Sequence, residues 1–271
     1  ANAENFMLLP IILSALLIVN LKQSKDKSVP YNSKILFPAG LLLGLAFLFK
    51  VVAVFDFVTL FLIISFVFFN NLQGHFKIKE TVKALGKQLL PFVFGFLLPI
   101  GITTLFFLLK GAFSDFLNAT LSTNVGYVGY GNKLFGIPQG LLVVKFLALA
   151  IFSFIIFIKK SKLGLTSIFI LLWFSFSLFN AFFSERPYGH YLLVLLPSFS
   201  LLLGLFIVSN KFKQIYLVLV IGSLLLILKN FSIYPLDKNI FYYANIFSFI
   251  TGNENVTSYQ SFFDKKTPID Y

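Results

Sequence analysis

Few residues in this 271-residue chain are equipped for chemistry, and their types narrow what that chemistry is. Arg186 is the only arginine among 22 Lys and Arg residues. A chain that uses lysine everywhere else marks this position as wanting a planar, bidentate donor, the kind that phosphate and carboxylate accept. The bland alternative is a juxtamembrane anchor or a partner for Glu185. His190 follows four residues later; it can donate to a phosphate, ligate a metal, or cap and sit at an interface. A divalent metal there would need carboxylates such as Glu4 or Glu185. His75 lies in a basic segment and reads as solvated. Lys50, Asp56 and Lys145 are charges inside apolar stretches, where each has to face protein or water. Lys50 and Asp56 are six residues apart, on different helical faces, so they form no simple within-helix pair. Cysteine is absent, which removes thiolate chemistry and thiolate metal sites. The chain contains no phosphate-cradling P-loop, dinucleotide fingerprint, zinc-type spacing or internal repeat.

The elements that must position these residues are membrane helices. Hydrophobic residues make up 58% of the chain, charged ones 12%, and the mean hydropathy is +0.90. Apolar blocks without alternation exclude barrel strands and leave helices, whose backbone groups are all satisfied internally. Eight spans are expected: 6–21, 35–49, 51–69, 89–109, 138–158, 165–183, 191–209 and 215–228. As one helix, 35–69 would reach roughly 52 Å against a hydrocarbon core of about 30 Å, so a break is expected at Lys50.

The net charge of +12 suggests nucleic acid until the lysines are placed. Most fall in short connections, and with eight spans they alternate cleanly. Lys22, Lys25, Lys27 and Lys34 share a side with Lys77, Lys79, Lys83 and Lys87, then Lys159, Lys160 and Lys162, then Lys211 and Lys213. That side is expected to be cytoplasmic, facing anionic membrane lipids. Both chain ends then lie outside, with the connection 110–137, the segment Glu185–His190 and the tail from Phe231. The expected organisation is an all-α polytopic bundle over 1–230 and an extracytoplasmic tail over 231–271. An apolar first helix entered from outside implies earlier spans, so the chain is expected to be a fragment lacking its N-terminal part and cut at its C-terminal end. Gly126–Gly131 offers tyrosines that either stack on sugars or join an interfacial belt. Asn118-Ala119-Thr120 and Asn255-Val256-Thr257 fit the glycosylation sequon.

Ala39-Gly40-Leu41-Leu42-Leu43-Gly44-Leu45-Ala46-Phe47-Leu48-Phe49-Lys50 resembles a recurring segment of GT-C membrane glycosyltransferases, of the protein O-mannosyltransferase and lipid A aminoarabinose transferase type. His190-Tyr191 with Leu-Leu-Val-Leu-Leu-Pro through Pro197 resembles a later helix start of that group. Ala3-Glu4 before an apolar helix fits the same order, and the tail with Tyr242-Tyr243-Ala244-Asn245, Tyr259, Phe262-Phe263-Asp264 and Asp270-Tyr271 is similar to bacterial members. The chain departs from the pattern at Val51, where the family often has proline.

The resemblance implies an inverting transfer of a sugar from a polyprenyl-phosphate donor to an acceptor protein, lipid or glycan at the outer face of a bacterial plasma membrane. It places the catalytic acid upstream of this chain, so none is carried over to a residue here. Arg186, Lys50 and His190 are then expected to hold the lipid phosphate, and Glu4, Asp56, Glu185, Tyr188 and Tyr191 to line the cavity. The rivals are a transporter or flippase for a lipid-linked or anionic substrate, which would show symmetric, interrupted helices, and a non-catalytic membrane subunit.

Overall fold

The computed structural model describes residues 3–19, 33–71, 78–125, 128, 132–137, 139–184, 188–208, 213–230 and 236–262. Its regular elements are helices: α1 (Ala3–Val19), α2 (Ser33–Phe49), α3 (Val54–Asn71), α4 (Ile78–Leu109), α5 (Phe113–Leu117), α6 (Gly140–Ile158), α7 (Leu165–Ala181), α8 (Leu196–Val208), α9 (Lys213–Asn230), α10 (Leu236–Ile250) and α11 (Val256–Ser261). The described residues of each of the eight apolar blocks read from the sequence are largely helical. Among the described residues, four helices, Val51–Asn70, Ile78–Leu109, Gly140–Ser161 and Gly189–Val208, are long and apolar enough to cross a membrane. Residues 1–225 and 226–271 form two compact units.

The expected break falls at Lys50, whose backbone is extended (φ −157°, ψ 125°) between α2 and a 3-10 turn, Val51–Ala53, that leads into α3. No proline is needed for it.

Cross-contacts fix the directions of the helices. Phe6 stacks on Phe49, and the Ser14 hydroxyl donates to the Ala39 carbonyl at 2.8 Å, so α1 and α2 are antiparallel. A Cβ on Gly40 would collide with the Phe92 carbonyl, and one on Gly44 would collide with the Phe96 carbonyl and Pro99. The registers rise together, so α2 and α4 run parallel. The chain between them, α3, is therefore the return stroke. Asp56 pairs with Trp173 and Val52 with Asn180, which makes α7 antiparallel to α3. Lys145 meets Phe182, Phe146 meets Phe179, and Phe174 meets Phe199, so α6 and α8 both oppose α7. Consequently α1, α3, α6 and α8 begin, and α2, α4 and α7 end, at one common end of the bundle. The basic connection 159–164 joins α6 to α7 at the opposite end.

Two packing devices hold this arrangement. Gly40, Gly44 and Gly95 bring the α2 and α4 backbones into contact, Gly95 against the Phe37 carbonyl, in the small-residue manner of apolar helix pairs. The centre is α7, in which 13 of 17 residues are buried, flanked by α3, α6 and α8. Its Trp173 indole donates to the buried Asp56 carboxylate at 2.9 Å, satisfying a charge-bearing group that would otherwise be stranded in the core. Before α8 the chain winds as a 3-10 turn over Gly189–Leu195.

Three expectations are corrected. The basic segment before Leu89 is no loop from Ile78 onward: those residues form the first turns of the 32-residue α4. Lys79, Lys83 and Lys87 recur at i+4 and the single Gly86 among them is tolerated, so the helix continues with its charges exposed. Nor is 110–137 simply a loop: α5 runs into a π-turn, Asn118–Ser122, and on to Val125. Asp56 is packed in the bundle beneath Trp173 instead of lining a cavity. Trp173 lies 117 residues away in sequence, and no local spacing announces it.

The unit 226–271 is tied internally by the Asn245 amide, which donates to the Tyr259 carbonyl at 3.3 Å, and by Phe249 stacked on Tyr259. Asn255 of the second sequon caps α11, accepting from the Ser258 N–H at 2.8 Å.

Inserting a side chain between α2 and α4 should overpack the interface. Gly95→Val is expected to cost about 1–3 kcal/mol, read as a lower thermal midpoint in detergent. Gly101→Ala, where a Cβ meets nothing, should leave the midpoint unchanged or raise it.

Candidate functional site

At the end of the bundle where α1, α3, α6 and α8 begin lies a cavity of about 1180 Å³. Its walls are the last turns of α2 and α4, the stretch from Ala112 to Val128, the start of α6, and the end of α7 with the 3-10 turn that follows. Most of the lining is apolar (Phe47, Leu48, Phe49, Ile100, Phe107, Phe116, Leu142, Phe183, Val194), and a few polar groups converge on it.

Three distant segments meet in its polar corner. Glu4, in the first turn of α1, forms an ion pair with the ammonium of Lys50. The Glu4 side chain is only 3% exposed, whereas that of Lys50 is 27% exposed, so the cation is the half that a ligand can reach. His190 Nε2 lies 3.9 Å from the same Glu4 oxygen, Oε1. The Lys50 ammonium also sits over the Tyr191 ring, 4.3 Å from its centroid, a cation–π geometry that holds the charge at the cavity face. Tyr188 stacks on His190 at 5.5 Å, and Tyr191 packs edge-on against it at 4.6 Å.

The local reasons are visible in the chain. Lys50 occupies the extended gap between two helices, with its own N–H bonded back to Ala46. The 3-10 turn sets His190 and Tyr191 on the side facing α1, which it contacts. Acidic Glu4 is also well placed at a helix N-terminus, where the dipole favours it.

Of the residues singled out from the sequence, Glu4, Lys50, Tyr188, His190 and Tyr191 are brought together. Glu4, Lys50 and Tyr191 line the cavity; Tyr188 and His190 pack behind them. Arg186 and Glu185 lie outside the described residues, as do Tyr127 and Tyr130 of the glycine-rich stretch. Among the described residues no group of three His, Asp or Glu side chains gathers that would hold a metal. Lys145 does not reach outward: it donates to the Asn132 side chain at 2.9 Å and to the Phe182 carbonyl at 2.7 Å, closing the end of α7.

The cavity also contains polar residues that the sequence reading did not assign to it: Asp115, Thr104, Asn124, Gln139 and Asn180. A usable signal existed for the first and third. Phe113, Phe116, Leu117, Leu121 and Val125 follow helical spacing, which carries Asp115 and Asn124 on one short helical segment.

No family model matches the chain, and neither a curated protein nor a solved structure matches it.

Glu4 is buried and takes its charge balance from Lys50, so removing the cation alone should hurt more than removing both partners. Lys50→Met is expected to destabilise by about 1–3 kcal/mol, discounted from the 3–5 kcal/mol of a fully buried pair because Lys50 is partly exposed. Glu4→Gln with Lys50→Met together should recover most of that loss in thermal melts.

Proposed function

We propose that this chain is the helical core of a membrane glycosyltransferase of the GT-C type, transferring a sugar from a polyprenyl-phosphate donor to an acceptor at the extracytoplasmic face. The observation that carries the proposal is the convergence of residues 4, 50 and 190–191, from three separate segments, on the polar corner of a large apolar-walled cavity. An apolar wall of that size suits an isoprenoid, and a lysine offered at its corner suits the phosphate beside it.

In this proposal eight helices cross the membrane, the lysine-bearing connections are cytoplasmic, and the cavity opens outside. The alternating helix directions, with the cavity at the end away from those connections, support that sidedness. The acceptor hydroxyl attacks the anomeric carbon with inversion, the bond to the lipid phosphate breaks, and the phosphate departs with the electron pair. Lys50, with His190 and Arg186, stabilises the charge that grows on the leaving oxygen. The acceptor's proton goes to a carboxylate that the resemblance places outside these residues. A transporter would place its polar groups near the bilayer midplane between symmetric halves; the polar corner here is at one end of the helices.

Full-length protein reconstituted with a labelled polyprenyl-phosphate sugar tests this. Lys50→Ala and Arg186→Ala should each lower turnover by about 100-fold, the scale of losing one charge-stabilising donor. If both variants bind the donor and turn over like the parent, the lipid-phosphate assignment is wrong.

A further inference from the structure

The segment Leu134–Ile137, just before α6, is built in a way that the cavity chemistry does not require. Leu134 and Ile137 exchange both backbone hydrogen bonds, at 3.2 and 2.9 Å, closing a two-residue turn. Both tip residues are left-handed, Phe135 at φ 48° and Gly136 at φ 81°. Positive φ at both central positions is the type I′ pattern, which favours Asn, Asp or Gly. Gly136 meets it without cost. Phe135 does not, because a bulky side chain in this region crowds its own backbone.

The strained residue is also the most exposed large hydrophobic among the described residues, at 94%, and Ile137 beside it is 62% exposed. A phenylalanine held out in a disfavoured backbone conformation contributes nothing to the protein's own core. The base of the turn, by contrast, is locked. Asn132 is fully buried and donates to the Val128 and Phe183 carbonyls at 2.8 and 2.9 Å. Its side-chain oxygen accepts from Lys145 at 2.9 Å, and its backbone carbonyl accepts from the Leu141 N–H at 3.0 Å. The Gly140 N–H donates to the Ile137 carbonyl, so the turn is bonded directly onto the first residue of α6.

That attachment identifies what the tip meets. α6 is one of the four helices long and apolar enough to cross a membrane, and the outward side of its first turns is apolar, with Val143, Phe146 and Leu147 exposed. A rigid finger fixed at the start of such a helix stands at the level where hydrocarbon gives way to headgroups. Exposed Phe and Leu side chains of membrane-surface segments gain by leaving water at that boundary, where apolar faces bury about 5–10 Å into the headgroup–acyl region. We infer that the Leu134–Ile137 turn is a membrane-interface anchor that inserts Phe135 and Ile137 into the headgroup–acyl boundary beside α6, setting the depth of the cavity wall that begins at Gln139. The inference rests on a membrane position for α6 and not on the glycosyl-transfer chemistry.

These 271 residues hold no cysteine, so a label introduced here has no competing site among them. Full-length protein carrying Phe135→Cys is labelled with a nitroxide in liposomes of phosphatidylethanolamine and phosphatidylglycerol, with Lys133→Cys as the reference two residues away. The ratio of collision with oxygen to collision with a water-soluble nickel chelate should be several-fold higher at 135 than at 133. Because a nitroxide is itself apolar, Phe135→Trp supplies a second reading: lipids brominated near the headgroup end of the chain should quench emission beyond that of the buried Trp173. A ratio at 135 equal to that at 133, with no added quenching, places the tip in water and overturns the anchor. A label immobilised and shielded from both reagents overturns it too, in favour of a protein or acceptor seat.

Discussion

An ammonium group at the junction of two apolar helices needs a partner, and at the α2–α3 junction Lys50 takes its partner from the far end of the chain's first helix. The Glu4–Lys50 pair therefore does two things at once. It fixes the beginning of α1 beside the end of α2, which is the antiparallel register that Phe6–Phe49 and Ser14–Ala39 continue along the helices. It also puts a partly exposed cation at the corner of an apolar cavity, with the Tyr191 ring beneath it and His190 within reach of the same carboxylate oxygen. A buried ion pair is weak evidence of stability, since desolvation offsets much of the attraction. Its value here is positional: it decides where a charge is offered.

The rest of the bundle keeps that corner in place. Glycine contacts between α2 and α4 bring two backbones into direct contact, the small-residue packing of apolar helix pairs. The Asp56–Trp173 bond ties α3 to the buried α7 six residues beyond the break. Lys145 and Asn132 close the end of α7 and the entry to α6. The last two devices satisfy polar groups inside the apolar interior, and all three involve a junction or wall of the cavity end or a helix that reaches it.

Much of this was legible in the chain. Lys50 was readable as a break because 35–69 is too long for one crossing, and the lysines alternate only if the break is real. Glu4, Lys50, His190 and Tyr191 stood out by type, as charges or rings at the ends of apolar blocks. Their meeting was not derivable from local spacing, since pairs separated by 46 residues or more are set by how helices pack. The destination of Asp56 was misread for the same reason: a carboxylate inside an apolar run must find a donor, but nothing nearby in sequence says that the donor is an indole on α7. The helical content of 113–125 was legible and passed over, because polar residues between apolar blocks read as loop before their 3.6-residue spacing is examined. Phe135 carried no signal at all, since left-handed backbone at a phenylalanine is a tertiary outcome.

The central claim is that the cavity opens on the face opposite the lysine-bearing connections, outside the cell. Single cysteines at Asn124 in the cavity wall and at Lys162 in the α6–α7 connection, each added to a chain whose 271 residues otherwise hold no cysteine, test it in intact cells with a membrane-impermeant maleimide. The account predicts that Asn124→Cys reacts from outside, whereas Lys162→Cys reacts only after permeabilisation. The reverse pattern would put the cavity in the cytoplasm and contradict the account.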